Sequence, residues 1–480
     1  MSFSFFELLF LISILLLVYF VHPRIRKVIL LAGSMLFCCK FNEVAPITLA
    51  FCTILTYLTG LLMEYFRKKS GTRLSGMVLT VFVVLSVASM SVFKVFPAMI
   101  RQKSAPSANY ALEWLFMSIG FSYYMFQAIG YLTDIHKGRI SAEKDFISFA
   151  LFMAFFPKII SGPIGRAGDF IPKIASLEKL KIWDLSRFSK AVSWILYGFF
   201  MKTLLADRIG PVVSAVFNEP VKYSSSCLIL TSFLYTLQIY LDFAGYSAVA
   251  IGVGKFFDLE LSQNFNAPYL SKGFGEFWRR WHMTLSSWLR DYIYIPLGGN
   301  RKGKIRKYIN TLIVFIVCGI WHGSGGGFLI WGIFHGCFTI LDDLVKNRGF
   351  YKRIPDALKT LMTFLAVSFA WIFFGVKDAA TGVAYVGACL THFDKGTGFL
   401  ELATQLKLNG WDLWVFIIGI IFVIAADILS YKAKKSVPQL MGTLPYVKRL
   451  VLIYFMIMIL IIFGVYGPGY DPSDFIYMRF

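Results

Sequence analysis

The run CLILTSFLYTLQIYLDFAGYSAVAIGV, residues 227–253, carries Asp242 as its one charged side chain. A bilayer core needs roughly 20 apolar residues for each helical crossing, so this run is long enough to span a membrane. Comparable runs recur along the chain and predict about eleven transmembrane helices, with re-entrant or interfacial helices between them. The other predicted segments are 3–21, 47–62, 77–95, 112–132, 146–160, 191–205, 309–320, 328–341, 361–376, 413–429 and 450–465, with a shorter piece at 28–39.

The composition supports this reading over the whole chain of 480 residues. Hydrophobic residues make up 57% of the sequence, charged residues only 16%, and the mean hydropathy is +0.65. Soluble domains carry roughly 25% charged residues, so we predict an all-α polytopic integral membrane protein. We expect one membrane-embedded domain over 1–480, with a core motif region at 115–345 and C-terminal helices at 355–480. The segments near Phe155 and Gly319 are short, which predicts broken or re-entrant helices there.

The net charge of +21 is explained by short basic loops next to the spans rather than by nucleic-acid binding. Such loops are typical of the cytoplasmic side, where anionic lipid headgroups attract them. The basic residues after the first span, Arg24, Arg26 and Lys27, therefore predict an extracytoplasmic N-terminus. The first span lacks a basic leader and a small-residue cleavage site, so we expect it to be retained rather than cleaved as a signal.

No metal site is predicted from the cysteines or histidines. The seven cysteines include no CxxC pair and lie mostly inside apolar runs, where cysteine behaves as a small hydrophobe. His282 and His322 are too far apart in the sequence for a zinc-binding HExxH helix.

Polar side chains inside the apolar runs mark candidate functional positions, because such groups are costly in a membrane. Gln238, Asp242 and Tyr246 follow at i, i+4 and i+8 and share one helix face. For Asp242 two interpretations stay open: a buried carboxylate that ties helices together, or part of the wall of a substrate channel.

The segment FWRRWHMTLSSWLRDYIYI, residues 277–295, is too polar for a simple span and too aromatic for a soluble loop. Trp belts and snorkelling Arg side chains are typical of the membrane interface. We therefore expect either an amphipathic helix at the interface or an element that dips into the membrane and lines a substrate site. An NFNAP turn at residues 264–268 precedes it.

The stretch GIWHGSGGGFLIWGIFHG, residues 319–336, places His322 before a run of glycines. A phosphate-binding loop would need a preceding strand and a following Lys, and neither is present. The glycines instead predict a helix break with close backbone approach. From these residues alone, two interpretations of His322 stay equally open: a structural hydrogen-bonding group or a catalytic group. His335 is interpreted as structural.

Several motifs in this order resemble the membrane-bound O-acyltransferase family, in the bacterial branch that acts in alginate and peptidoglycan O-acetylation. The matching blocks are GFSYYMFQAIGYLTDIHKG (120–138), FFPKIISGPIGR (155–166), LQIYLDFAGYSAVAIG (237–252), the run from NFNAPYLSK to IPLGGNRKG (264–303), WHG with WGIFHG (321–336), and the C-terminal FIYMRF.

The resemblance implies a ring of tilted helices around a central tunnel, with His322 as the general base and His282 orienting the donor or stabilising charge. It also implies transfer of an acyl group, most simply acetyl, from a cytoplasmic thioester to an extracytoplasmic hydroxyl. The donor would be acetyl-CoA or an acyl carrier protein, with no permanently bound cofactor. The residues expected to bind substrate or shape the tunnel are Gln238, Asp242, Tyr246, Trp281, Ser286, Arg290, Asp291, Trp321 and Ser324.

The same resemblance implies a multi-pass protein of the bacterial cytoplasmic (inner) membrane that works with a separate extracytoplasmic acetyltransferase. One position departs from the alginate pattern: Ala248 stands where many members carry Asp. The FAGYS and LSK motifs favour D-alanyl transfer to teichoic acid, whereas the PLGGNRKG and WGIFHG motifs favour polysaccharide acetylation. A transporter or flippase without covalent chemistry is the alternative from another class.

Overall fold

The computed structural model describes residues 5–40, 44–103, 120–376, 378–393, 395–406, 408 and 410–465. Residues 3–4 of the first predicted span, residues 112–119 of the fourth and the C-terminal FIYMRF motif lie outside these ranges. In this part of the chain, helix is the dominant secondary structure and no β-strand is present.

The helices are numbered α1–α22 in chain order. Their bounds are α1 Phe5–Phe20, α2 Arg26–Cys39, α3 Val44–Lys69, α4 Thr72–Lys103, α5 Phe121–His136, α6 Phe146–Ala154, α7 Phe156–Ile159, α8 Ala167–Ile174, α9 Leu185–Phe199, α10 Asp207–Asn218, α11 Ser225–Phe256, α12 Phe274–Arg280, α13 Met283–Leu289, α14 Lys304–His322, α15 Gly326–Val345, α16 Gly349–Arg353, α17 Asp356–Gly375, α18 Ala379–Thr391, α19 Phe399–Gln405, α20 Gly410–Ala433, α21 Val437–Thr443 and α22 Tyr446–Phe463.

Eight helices in the described ranges are long and apolar enough to cross a membrane. They are α3, the Thr72–Phe93 part of α4, α11, α14, α15, α17, α20 and α22. The polytopic membrane architecture predicted from hydropathy is thereby confirmed. Two shorter apolar helices, Phe10–Phe20 and Ala379–Thr391, fall below the length of a full crossing. The count of about eleven spans and the ring around a tunnel stay predictions.

The chain forms two compact units, and α11 contributes to both. The first contains Ser2–Ala191 and Ala250–Ser262. Its predicted break near Phe155 is confirmed, since α6 ends at Ala154 and α7 starts again at Phe156. Pro157 at the start of α7 explains the interruption, because proline fits the first turn of a helix and cannot continue the previous one.

The second unit contains Val192–Val249 and Gln263–Phe480. Within it, α14 and α15 form an antiparallel hairpin that packs backbone against backbone. A Cβ atom on Gly332 would lie 2.4 Å from the Phe315 carbonyl oxygen, and one on Gly319 would lie 2.5 Å from that of Phe328. Small residues allow this close approach of helices in membranes. The helix break predicted from the glycine run is confirmed, since α14 ends at His322 and α15 begins at Gly326, but α14 itself is 19 residues long rather than the short segment expected near Gly319.

Candidate active site

His282 lies at a sharp turn between α12 and α13, and its side chain is buried. Its φ of +41° is uncommon for residues other than glycine. Asn264 supports the turn, because its side-chain oxygen accepts hydrogen bonds from the Thr284 hydroxyl at 2.6 Å and the Thr284 N–H at 3.3 Å. The Asn264 amide donates in turn to the Ser247 hydroxyl at 3.2 Å. The NFNAP motif therefore holds the turn that carries this histidine.

The two short helices on either side of His282 form a helical hairpin. α12 begins beside the last part of α15, where the Gly275 N–H donates to the Asp342 carboxylate at 3.1 Å. After α13 the chain returns to the first part of α14, where the Asn310 amide donates to the Gly299 carbonyl oxygen at 2.9 Å. Both contacts lie at the end of the α14–α15 hairpin opposite its turn, which leaves His282 at the tip. The dipping interpretation of segment 277–295 is the one supported.

His322 is the last residue of α14 and is 4% exposed. Three aromatic rings surround its imidazole, with centroid distances of 4.7 Å to Trp321, 5.1 Å to Trp331 and 5.0 Å to Phe374. The Trp321 ring also lies 6.5 Å from the His282 ring. Trp321 therefore stands between two histidines that are distant in sequence, and the site is enclosed by residues of α14, α15 and α17.

Asp242 belongs to a buried charge cluster rather than to this aromatic site. The Lys202 ammonium lies 2.7 Å from the Asp242 carboxylate and 2.6 Å from that of Asp207. Lys202 lies in a π-helical segment, Phe200–Ala206, between α9 and α10. Two carboxylates thus share one cation, and the cluster connects that segment to α10 and α11. This geometry supports the interpretation of Asp242 as a buried carboxylate that ties helices together.

The remaining predicted site residues are spread over the second unit. Gln238, Tyr246, Trp281 and Trp321 are buried. The Ser286 hydroxyl donates to the Trp281 carbonyl oxygen at 3.2 Å. Arg290 is exposed and pairs with Asp291 at 2.8 Å, which raises the pKa of its guanidinium. Ser324 is exposed in the turn between α14 and α15. The structure thus brings Trp321 next to both predicted catalytic histidines, and leaves Arg290, Asp291 and Ser324 outside the aromatic site.

Sequence reasoning missed several members of the site. Trp331, His335, Trp371 and Phe374 form its aromatic walls. The Trp331 and Trp371 rings are stacked at 5.5 Å, and the Trp331 and His335 rings meet edge to face at 5.0 Å. The signal for two of them was present, because Trp331 and His335 are spaced i, i+4 in WGIFHG and so share a helix face. Lys202 carried no such signal. Within the described ranges, no group of three or more His, Cys, Asp or Glu side chains could hold a metal ion.

These features define a class: a polytopic helical membrane protein with imidazole groups enclosed at helix ends. A family model described as MBOAT, the membrane-bound O-acyltransferase family, matches residues 46–375. The chain belongs to this family and is an acyltransferase, so a transporter without covalent chemistry is set aside.

Three relatives illustrate the range of similarity. The chain is 32% identical to a probable alginate O-acetylase AlgI of Azotobacter vinelandii over 382 residues, covering 78% of this chain and 74% of the relative. It is 31% identical to a peptidoglycan O-acetyltransferase of Helicobacter pylori over 60% of this chain and 62% of the relative. It is 26% identical to a teichoic acid D-alanyltransferase of Bacillus subtilis over 68% and 83%.

Proposed function

We propose that this protein moves an acetyl group from a cytoplasmic thioester donor across the membrane to an extracytoplasmic hydroxyl, for O-acetylation of a cell-surface polysaccharide. The observation that carries the proposal is the enclosure of His322 by three aromatic rings at the end of a membrane helix. The names of the relatives at 32% and 31% identity favour acetyl transfer to a polysaccharide or peptidoglycan. The relative at 26% identity makes D-alanyl transfer the second candidate.

In this proposal His322 acts as the general base. A neutral imidazole takes the proton of the attacking hydroxyl while the hydroxyl oxygen forms a bond with the thioester carbonyl carbon. The carbon–sulfur bond then breaks, and the proton passes to the leaving thiolate. Enclosure in aromatic side chains keeps water away from the thioester, which would otherwise be hydrolysed. His282, at the tip of the helical hairpin, would orient the donor near Trp321.

The orientation of α14 supports transfer towards the outside. Its 19 residues span about 28 Å, nearly the thickness of the bilayer core. The basic sequence 301–307 lies at its start and His322 at its end. If the basic end faces the cytoplasm, as is typical of such loops, His322 lies towards the extracytoplasmic side, where the hydroxyl arrives. We further propose a central tunnel for the donor, acetyl-CoA or an acyl carrier protein, and no permanently bound cofactor.

The proposal includes an inner-membrane location with the N-terminus outside, and a separate extracytoplasmic acetyltransferase that completes transfer to the polymer. Its support is the resemblance to the polysaccharide-acetylation branch and the basic residues that follow the first span.

The first test replaces His322 with alanine and measures ester content of the cell-surface polymer at matched protein abundance. We expect ester formation to be abolished, because alanine cannot take the hydroxyl proton. His22→Gln, at an exposed histidine, is the control and should behave as wild type. Mass spectrometry of the released acid distinguishes acetate from D-alanine. Normal ester content in His322→Ala would contradict the proposed base.

A further inference from the structure

Two buried N–H groups of α15, one of them on a ring that contacts His322, have no hydrogen-bond acceptor among the described residues. They are Nε1 of Trp331 and Nε2 of His335, and neither has a partner in the described part of the chain. Both side chains are almost fully buried, at 1% and 0% exposed. They are one helical turn apart on the same face of α15. Buried donors are nearly always satisfied in folded proteins, so an unsatisfied pair calls for a functional explanation.

A hydrogen bond fixes the protonation of His335. The Trp278 indole donates from Nε1 to Nδ1 of His335 at 3.2 Å. An indole N–H can only donate, so Nδ1 of His335 must be an acceptor and the imidazole must be neutral. Its proton therefore resides on Nε2, the atom without an acceptor. This tautomer is assigned by the hydrogen bond, and it turns His335 into an N–H donor.

One donor is on a ring next to the proposed base, and the other donor is on a ring that contacts the first. The Trp331 ring lies 5.1 Å from the His322 ring and 5.0 Å from the His335 ring. Trp331 thus contacts both histidines. An N–H pair held by rigid rings in a site enclosed by aromatic side chains suits a group that gains negative charge during a reaction.

We propose that Trp331 and His335 donate hydrogen bonds to the carbonyl oxygen of the acyl group during transfer. This inference rests on the proposed function and adds the groups that stabilise its intermediate. When the hydroxyl oxygen bonds to the carbonyl carbon, the π electrons of the carbonyl move to its oxygen. The two N–H groups hold this oxyanion until the carbonyl re-forms and the carbon–sulfur bond breaks. The hydroxyl proton goes to His322 and then to the thiolate, so that atoms and charges balance.

The experiment compares initial rates of ester accumulation after induction in cells, at matched protein abundance. Trp331→Phe keeps an aromatic ring but removes the N–H. Its matched control is Trp194→Phe, the same truncation at another buried tryptophan. Loss of one oxyanion donor lowers turnover by about 10²-fold or more, so we expect Trp331→Phe to be slowed on that scale and Trp194→Phe to match wild type.

His335 gives a test that a packing role cannot imitate. His335→Gln retains an N–H donor, whereas His335→Phe fits the surrounding aromatic rings better but has no donor. If the role is packing, Phe should be tolerated at least as well as Gln. We expect the reverse order, with Gln transferring faster than Phe.

A rate for Trp331→Phe within twofold of Trp194→Phe, or a rate for His335→Phe equal to or above that of His335→Gln, overturns the inference. Failure of the proposed function is a separate result, since it would appear as normal ester formation in His322→Ala or as a released acid other than acetate. A carbonyl oxygen is common to acetyl and D-alanyl groups, so the rank order at His335 can be read with either acid.

Discussion

Replacing Lys202 with methionine should destabilise the protein strongly, because it removes a cation that two buried carboxylates share. The Lys202 side chain is 9% exposed, and those of Asp207 and Asp242 are 7% and 2% exposed. Removing one partner of a buried ion pair costs about 3–5 kcal/mol, since the other partner loses an opposite charge in a site that water solvates poorly. At about 2 °C per kcal/mol for a unit of this size, the melting temperature should fall by about 6–10 °C.

The matched variant is Asp242→Asn, which removes a charge from the same cluster. It leaves Lys202 paired with Asp207 at 2.6 Å, and the new amide oxygen can still accept a hydrogen bond. The Lys202–Asp207 ion pair is retained, so we expect a loss of only about 1 kcal/mol, the size of a typical hydrogen-bond contribution. The two substitutions are therefore unequal, although both disrupt the same ion pair.

The assay is thermal unfolding of the full-length protein in detergent, followed by loss of the monodisperse peak in size-exclusion chromatography. Both variants are compared with wild type at the same detergent concentration. A melting temperature of Lys202→Met within about 2 °C of wild type would contradict a stabilising role for the Lys202 charge. Equal destabilisation by Asp242→Asn and Lys202→Met would show that repulsion between the two carboxylates is not what Lys202 offsets.

Two further predictions concern the α14–α15 hairpin. Gly332→Ala should lower both the melting temperature and ester formation, because the new Cβ would lie 2.4 Å from the Phe315 carbonyl oxygen. The control Gly387→Ala should be tolerated, because its new Cβ would have nothing within 4 Å. Equal melting temperatures for the two variants would contradict the close packing of α14 against α15. In cells whose protein lacks the exposed native cysteines, an impermeant thiol reagent added outside should label Ser324→Cys and not Lys304→Cys, and the opposite pattern would mean that the orientation is inverted.

Part of the fold could be read from the sequence because hydropathy is a local property. The long apolar runs predicted the membrane helices, and the short run around Phe155 predicted a broken one, as proline in the next turn cannot continue the preceding helix. The helix end at His322 was predicted less accurately. The glycine at 319 serves close packing against Phe328, and the chain breaks only after His322. A glycine in the sequence does not say which of these purposes it serves.

The partners of the polar residues could not be predicted, because they come from distant parts of the chain. Periodicity placed Asp242 on a helix face but could not supply Lys202, which a π-helical segment brings within 2.7 Å. Likewise, His335 could be interpreted only as structural until Trp278, 57 residues earlier, was found to donate to its Nδ1.

The sequence by itself therefore determined that this protein folds in a membrane and the family to which it belongs. These follow from composition, hydropathy and motif order, which need no knowledge of contacts. Only the tertiary structure decided that residues 274–294 enter and return as a hairpin, that Trp321 lies between His282 and His322, and that His335 is an N–H donor. Hydrogen-bond direction and ring contacts depend on how separate helices pack, and no local pattern specifies that packing.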